Sequence, residues 1–244
     1  MTMQRLWAAG LVWPVALALP ALAILLGLGT WQMQRKAWKE DLIAQITARV
    51  HQPPASLAEL ETQSASGGLE YARARVRGTF RHVSEQFIWE PDPRQGAGYH
   101  VVTPLQLDDG RFILVNRGYV TEARKAPAAR PEGQMTGEVE VVGLLRAPVA
   151  RAWFSPDRGS TGVWYWRDVD GMVQAALGAD AAKAVRYMLD AEATPANPGG
   201  WPKGGVTRLT LPNRHLEYAL TWYGLALTLV GVLAAFLIGR WRAS

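Results

Sequence analysis

Histidine is the side chain best suited to chemistry near neutral pH, and this sequence has four, at positions 51, 82, 100 and 215. Cysteine is absent, which excludes disulfides, thiolate metal sites, thioether-linked haem and cysteine nucleophiles. No segment has the spacing of a nucleophile elbow, a phosphate-cradling glycine loop or a paired-histidine zinc helix. His51, His82 and His100 lie far apart in sequence, and nothing in their spacing supports a three-histidine metal site. His215 differs in its position, at the head of a long uncharged run, just after Pro212 and Asn213. On a helix, residues 215, 218, 219 and 222 share a face, which sets Tyr218, Ala219 and Trp222 beside the imidazole. A neutral imidazole at the edge of an apolar slot can serve as axial ligand to a haem iron. It can also simply cap a helix end at a membrane surface, and chemistry alone favours that plainer role. Arg117 is the other side chain of interest. It precedes Gly118 at the end of a predicted strand, and a guanidinium grips carboxylates in a two-pronged fork. It could meet a propionate or a partner's carboxylate, although a structural hydrogen bond at the strand end is the more ordinary use.

The elements that must position these groups begin with two apolar runs. Residues 6–28 and 218–238 carry no charge, and each is about the length that crosses ~30 Å of hydrocarbon. Pro14 and Pro20 are tolerable in a membrane helix when neighbours satisfy the freed carbonyls. The rival for the first run is a cleaved leader with Ala21 and Ala23 at its cleavage site; the flanking Trp31 argues for a retained span. Trp31 and Gln32 close the first span and should lie at the depth of His215, where they could complete a pocket. Trp222 and Tyr223 form an interfacial belt, and Arg240, Trp241 and Arg242 end the second span. The expected division is a tail (1–5), a membrane helix (6–28), an exported β-rich domain with a membrane-proximal helix (29–215), a second membrane helix (216–239) and a tail (240–244). Arg5, Arg240 and Arg242 favour cytoplasmic termini under the positive-inside rule, while Arg35, Lys36 and Lys39 pull the other way.

Between the spans, residues 42–50 continue a helical pattern that stops before Pro53. Residues 56–68 read as loop or short helix. Period-two alternation then predicts strands over 71–78, 85–89, 99–107, 112–120, 139–145, 163–167 and 185–190, with a short helix over 168–177. Asp108-Asp109-Gly110 is a hairpin turn, and 127–133 and 194–205 are Pro/Gly-rich loops. Arg73, Arg75 and Arg77 share one strand face, which reads as solvated. The expected fold class is a membrane protein with two transmembrane helices flanking a mainly antiparallel β (α+β) extramembrane domain, a small barrel or sandwich. The net charge of +5 would suit nucleic acid, but the basic residues are scattered and two membrane spans argue for lipid instead.

Four blocks carry a resemblance to a known family. Gly27-Leu28-Gly29-Thr30-Trp31-Gln32-Met33-Gln34-Arg35, with Trp38-Lys39, closes the first span. Gly98-Tyr99-His100-Val101-Val102-Thr103-Pro104-Leu105 and Val115-Asn116-Arg117-Gly118-Tyr119-Val120 are two central strands. Asn213-Arg214-His215-Leu216-Glu217-Tyr218-Ala219-Leu220-Thr221-Trp222-Tyr223-Gly224 enters the second span. In this order and between these helices, the chain resembles a bacterial member of the surfeit-locus family of cytochrome c oxidase assembly factors. The aromatic residues at 119 and 223 are tyrosines where the family often has tryptophan or phenylalanine. The resemblance implies a non-enzymatic assembly factor of the bacterial inner membrane, with its central domain in the periplasm. It implies help in binding haem a and inserting it into the large subunit of a haem–copper oxidase, with the haem a synthesis enzyme as a further partner. It also implies that His215 ligates the haem iron. A copper chaperone would favour soft thiolate and thioether ligands, and the sequence has no cysteine. A hydrolase would need a convergent nucleophile and base. A cofactor-free scaffold for oxidase subunits remains the serious alternative.

Overall fold

The computed structural model describes residues 12–63, 68–92, 95–153 and 162–243. Residues 5–11, the start of the expected first span with its arginine, and 64–67 of the expected 56–68 segment lie outside the described residues. The chain forms two compact units, one of terminal helices (Met1–Gln45 with Thr210–Ser244) and one of residues Ile46–Leu209.

Helix α1, Val12–Val50, has 39 residues and contains Pro20. At 1.5 Å per residue it is about 58 Å long, far more than the ~30 Å a bilayer core requires. The expected span and the expected 42–50 helix are therefore one element. The span part is apolar, with a mean hydropathy of 2.1 in its best window. Charges enter at Arg35, and Lys36 Nζ donates to Glu40 Oε1 at 2.7 Å, one turn on. The last helix of the chain, His215–Ala243, ends in Arg240 and Arg242 and has a mean hydropathy of 2.0. Only 11% and 6% of the two apolar windows are buried within the protein. Apolar helices left this bare need a nonaqueous surround, and the chain is a membrane protein.

The second unit holds strands β1 (Ala55–Ser56), β2 (Arg73–Phe80), β3 (Gln86–Trp89), β4 (Gly98–Leu107), β5 (Phe112–Thr121), β6 (Glu138–Arg146) and β7 (Ala184–Ala191). Helix α2, Leu57–Gln63, starts on a reciprocal cap. Glu59 N donates to Ser56 Oγ at 3.3 Å and Ser56 N to Glu59 Oε2 at 2.8 Å, the S-x-x-E signal that starts helices. The sheet order is β1-β2-β6-β7-β5-β4-β3, and a further β2–β4 pairing closes five of these strands into a barrel. Closure is narrow, joining Gly78, Thr79 and Phe80 to Leu107, Gln106 and Leu105. A Cβ on Gly78 would stand 2.0 Å from the Gln106 carbonyl oxygen, so only glycine lets the two strands meet there. The barrel is mainly antiparallel, but β5 pairs parallel with β7, and β1 lies parallel on β2.

Alternation along β2 buries Ala74, Val76 and Phe80. Arg73, Arg75 and Arg77 face outward, as expected, and pair with Glu192 and Glu140. Strand β5 has no such exposed face. Ile113 and Val115 join one core with Val76, Phe80 and Leu105; Phe112 and Leu114 join a second with Met172 and Val173. That second core is covered by α3, Val169–Leu177, whose N-cap Asp168 accepts from Gly171 N. The strand expected over 163–167 does not form. Trp164 makes a single bridge to Ile88, with Trp164 N donating to Phe87 O at 2.9 Å. Asp168 N then donates back to Trp166 O at 2.9 Å, turning the chain into α3 before a ladder can grow. The Asp108–Gly110 hairpin is as expected, with Gly110 at φ 80° and Arg111 N donating to Asp109 Oδ1 at 2.9 Å.

Candidate functional site

We label the last helix, His215–Ala243, α4. His215 is its first residue, so the ring stands at a helix start, where the chain leaves a Pro-Asn corner. Its Nδ1 lies 2.7 Å from Gln32 Oε1 on α1. A carboxamide oxygen only accepts, so Nδ1–H donates and Nε2 is the ring nitrogen left outside this bond. This is how a second residue selects the tautomer of a metal-binding histidine. The two helices touch again further on. A Cβ on Gly29 would meet the Tyr223 ring at 2.6 Å, and Thr30 Oγ1 lies 3.3 Å from the Tyr223 hydroxyl. Ala219 is completely buried and Ala226 nearly so. Small residues of this kind let membrane helices approach closely.

Of the residues expected at this place, the structure brings together His215 and Gln32, with Ala219 beneath. Trp222 is half-buried. Tyr218 and Trp31 are 52% and 53% exposed, turned off the seam. Gly29, Thr30 and Tyr223, which sequence reading did not assign to the site, form its second contact; the close Gly-aromatic approach depends on helix register that no local pattern announces.

Arg117 belongs to the barrel. It is 1% exposed and not at a surface. Val101 pairs with Gly118 and Val102 with Asn116, so Arg117 is the extra residue of a β-bulge. Its Nη2 donates to Gly133 O and, at 3.3 Å, to Asn197 Oδ1. Burial pushes its guanidinium down to about 10, Glu85 opposing and Arg130 reinforcing the shift. It still carries its charge at neutral pH.

The barrel holds a polar cluster that sequence reading did not find. Asp190 accepts from Asn116 Nδ2 at 3.0 Å, Arg146 Nη1 at 3.1 Å and Thr207 Oγ1 at 2.8 Å. These groups line a cavity of about 310 Å³ with His100. Burial holds His100 below its ordinary value, against the raising effect of Glu90 and Asp190. Burial likewise lowers His82, so neither is an exposed cation at neutral pH. Among the described residues no three His, Asp or Glu side chains are grouped to hold a metal ion. Among the described residues the imidazole placed at a helix seam is His215, and an imidazole nitrogen is a ligand that a haem iron accepts.

A two-helix membrane protein carrying a closed five-stranded barrel, with an oriented histidine at the helix seam, is the class these features define. Comparison with known sequences narrows it. The SURF1 family model matches residues 19–227. The chain is 39% identical over 232 residues to the SURF1-like protein of Monosiga brevicollis, covering 89% of this chain and 84% of that one. It is 40% identical over 225 residues to Surfeit locus protein 1 of Mus musculus, covering 86% and 70%. The human Surfeit locus protein 1 is 38% identical over 229 residues, covering 87% and 73%. The chain belongs to the SURF1 family.

Proposed function

We propose that this chain is a membrane assembly factor for a haem–copper terminal oxidase, that it assists haem a binding and insertion into the large subunit, and that it catalyses no reaction of its own. One observation carries the reading: the Gln32–His215 hydrogen bond, which fixes the Nδ1–H tautomer and leaves Nε2 as an iron ligand. Trp222, half-buried, would supply an aromatic wall, and the porphyrin, when bound, supplies an iron whose spectrum reports its axial ligand. In the proposed setting both termini are cytoplasmic and the barrel is on the periplasmic side of a bacterial inner membrane. Arg240 and Arg242 at the end of α4 support that orientation. The partners are the oxidase large subunit and the haem a synthesis enzyme; nucleic acid is not among them.

The same bond supports a second reading, a cofactor-free scaffold in which His215 only pins the two helices. A spectrum separates them. Protein purified from cells that make haem a should show a Soret band, and His215→Ala should abolish or shift it while the barrel stays folded. His51→Ala, His82→Ala and His100→Ala should leave the band unmoved. Wild-type protein that never copurifies with haem, or a His215→Ala variant with an unaltered band, would leave the scaffold reading.

A further inference from the structure

We propose that the barrel binds a compact monovalent anion, of chloride size, in the cavity against Arg117. This is independent of haem at His215. The cavity has a volume of about 90 Å³, and its walls include Phe80, Val115, Met135, Thr194, Asn197 and Arg117. Arg117 is 1% exposed. Its Nε and Nη1 have no hydrogen-bond partner among the described residues; only Nη2 is engaged, with Gly133 O and Asn197 Oδ1. The guanidinium carbon lies 4.8 Å from the centre of the Phe80 ring, which covers one face and leaves the N–H groups of Nε and Nη1 as the unmet demand.

Glu85 and the two carboxylates at the cavity wall are paired with other arginines. Glu85 is committed to Arg130, the two side chains being 4% and 1% exposed. Glu140, at the cavity wall, holds Arg75 at 3.4 Å and Arg77 at 2.9 Å. Glu192, also at the wall, holds Arg73 Nη2 at 2.8 Å. Arg130 provides the internal comparison. It is as deeply buried as Arg117, yet its Nε donates to Arg124 O at 3.0 Å, Nη1 to Glu85 Oε2 at 3.1 Å and Nη2 to Lys125 O at 3.1 Å. One buried arginine is thus fully bonded and neutralised, and the other is neither.

Water could fill the free N–H directions, since the cavity has room for about three molecules at ~30 Å³ each. Water does not cancel the charge, and an isolated ion in a protein interior is costly until it is paired. A halide or formate fits the volume and matches the single uncompensated charge. It would accept from Nη1 or from Nε, which do not point the same way, and water would take the N–H groups left over.

The test uses the full-length protein in detergent. Its Tm should be higher in sodium chloride, bromide or formate than in sodium gluconate at the same ionic strength. The rise should grow with the logarithm of anion concentration above Kd and reach roughly 3–6 °C at ten times Kd. Arg117→Met, apolar and of similar length, should lose the dependence on anion identity. If that variant does not fold, crystals of the unaltered protein grown in bromide decide the matter, with an anomalous bromine peak expected within hydrogen-bond reach of Arg117 Nη1 or Nε. Equal Tm in all salts, an anion effect that survives in Arg117→Met, or a cavity free of bromine would each mean water only and overturn the site.

Discussion

At the scale of residues, His215 shows how much one neighbour decides. With Gln32 accepting from Nδ1, the ring presents a fixed lone pair; without it, the ring is free to rotate and exchange tautomers. Gln32→Leu should therefore leave haem able to bind but weaken its retention about 10-fold or more, and should broaden the Soret band rather than abolish it. A titration of haem into the purified variant measures this; retention equal to wild type would mean that Gln32 does not orient the ligand. The pair His215 and Gln32 was legible from sequence because both end an apolar run. The orientation of Tyr218 was not. Counting about 100° per residue from His215, Ala219 lies at roughly +40° and Tyr223 at roughly +80°, while Tyr218 falls at roughly −60°. The packed seam runs on the positive side, selected by Gly29 on the other helix. Arg117 makes the structural hydrogen bonds that are an arginine's ordinary use at a strand, to Gly133 O and Asn197 Oδ1. Its depth was the part not read, although the strand is apolar at both parities from Phe112 to Val115, the sign of a strand buried on both sides.

At the scale of elements, the barrel depends on a three-residue seam between β2 and β4. Gly78→Ala places a methyl against the Gln106 carbonyl and should cost about 3 kcal/mol or more, the upper end of overpacking in a filled core. Gly68→Ala is the control, since its Cβ would meet only the Tyr187 hydroxyl at 3.6 Å. Chemical denaturation of both variants checks the claim, and equal midpoints would mean that the ring is not closed at Gly78. Most strands were readable from alternation and turn residues because those signals are local. A barrel was one of the two architectures expected; which strands close it was not readable, because β2 meets both β4 and β6, and β5 meets β7, across long stretches of chain. Such pairings are chosen by packing of side chains, not by the pattern within either strand. The segment 163–167 shows the converse: its residues favour a strand, and the Asp168 cap that follows ends it after one bridge.

At the scale of the whole molecule, the proposed orientation has a direct test. A reporter active only in the cytoplasm should work when fused to either terminus and be silent when inserted at Asp109. That position is an exposed hairpin tip, where insertion is tolerated. Activity of the Asp109 insertion would reverse the orientation. Gly133, in a loop that looks equally permissive by sequence, is unsuitable because it is buried and a Cβ there would meet Trp201 O at 2.3 Å. The order of strands also dictates when this protein can fold during its synthesis. Strand β7 stands between β6 and β5, so the ring has a gap until residues Ala184–Ala191 have left the ribosome. Until then β5 and β6 present bare edges of the kind that pair with other chains. Helix α4 begins at His215, soon after that last strand. The domain and the last membrane helix thus mature almost together, and a message cut short between β6 and β7 should yield an open, adhesive sheet rather than a smaller barrel.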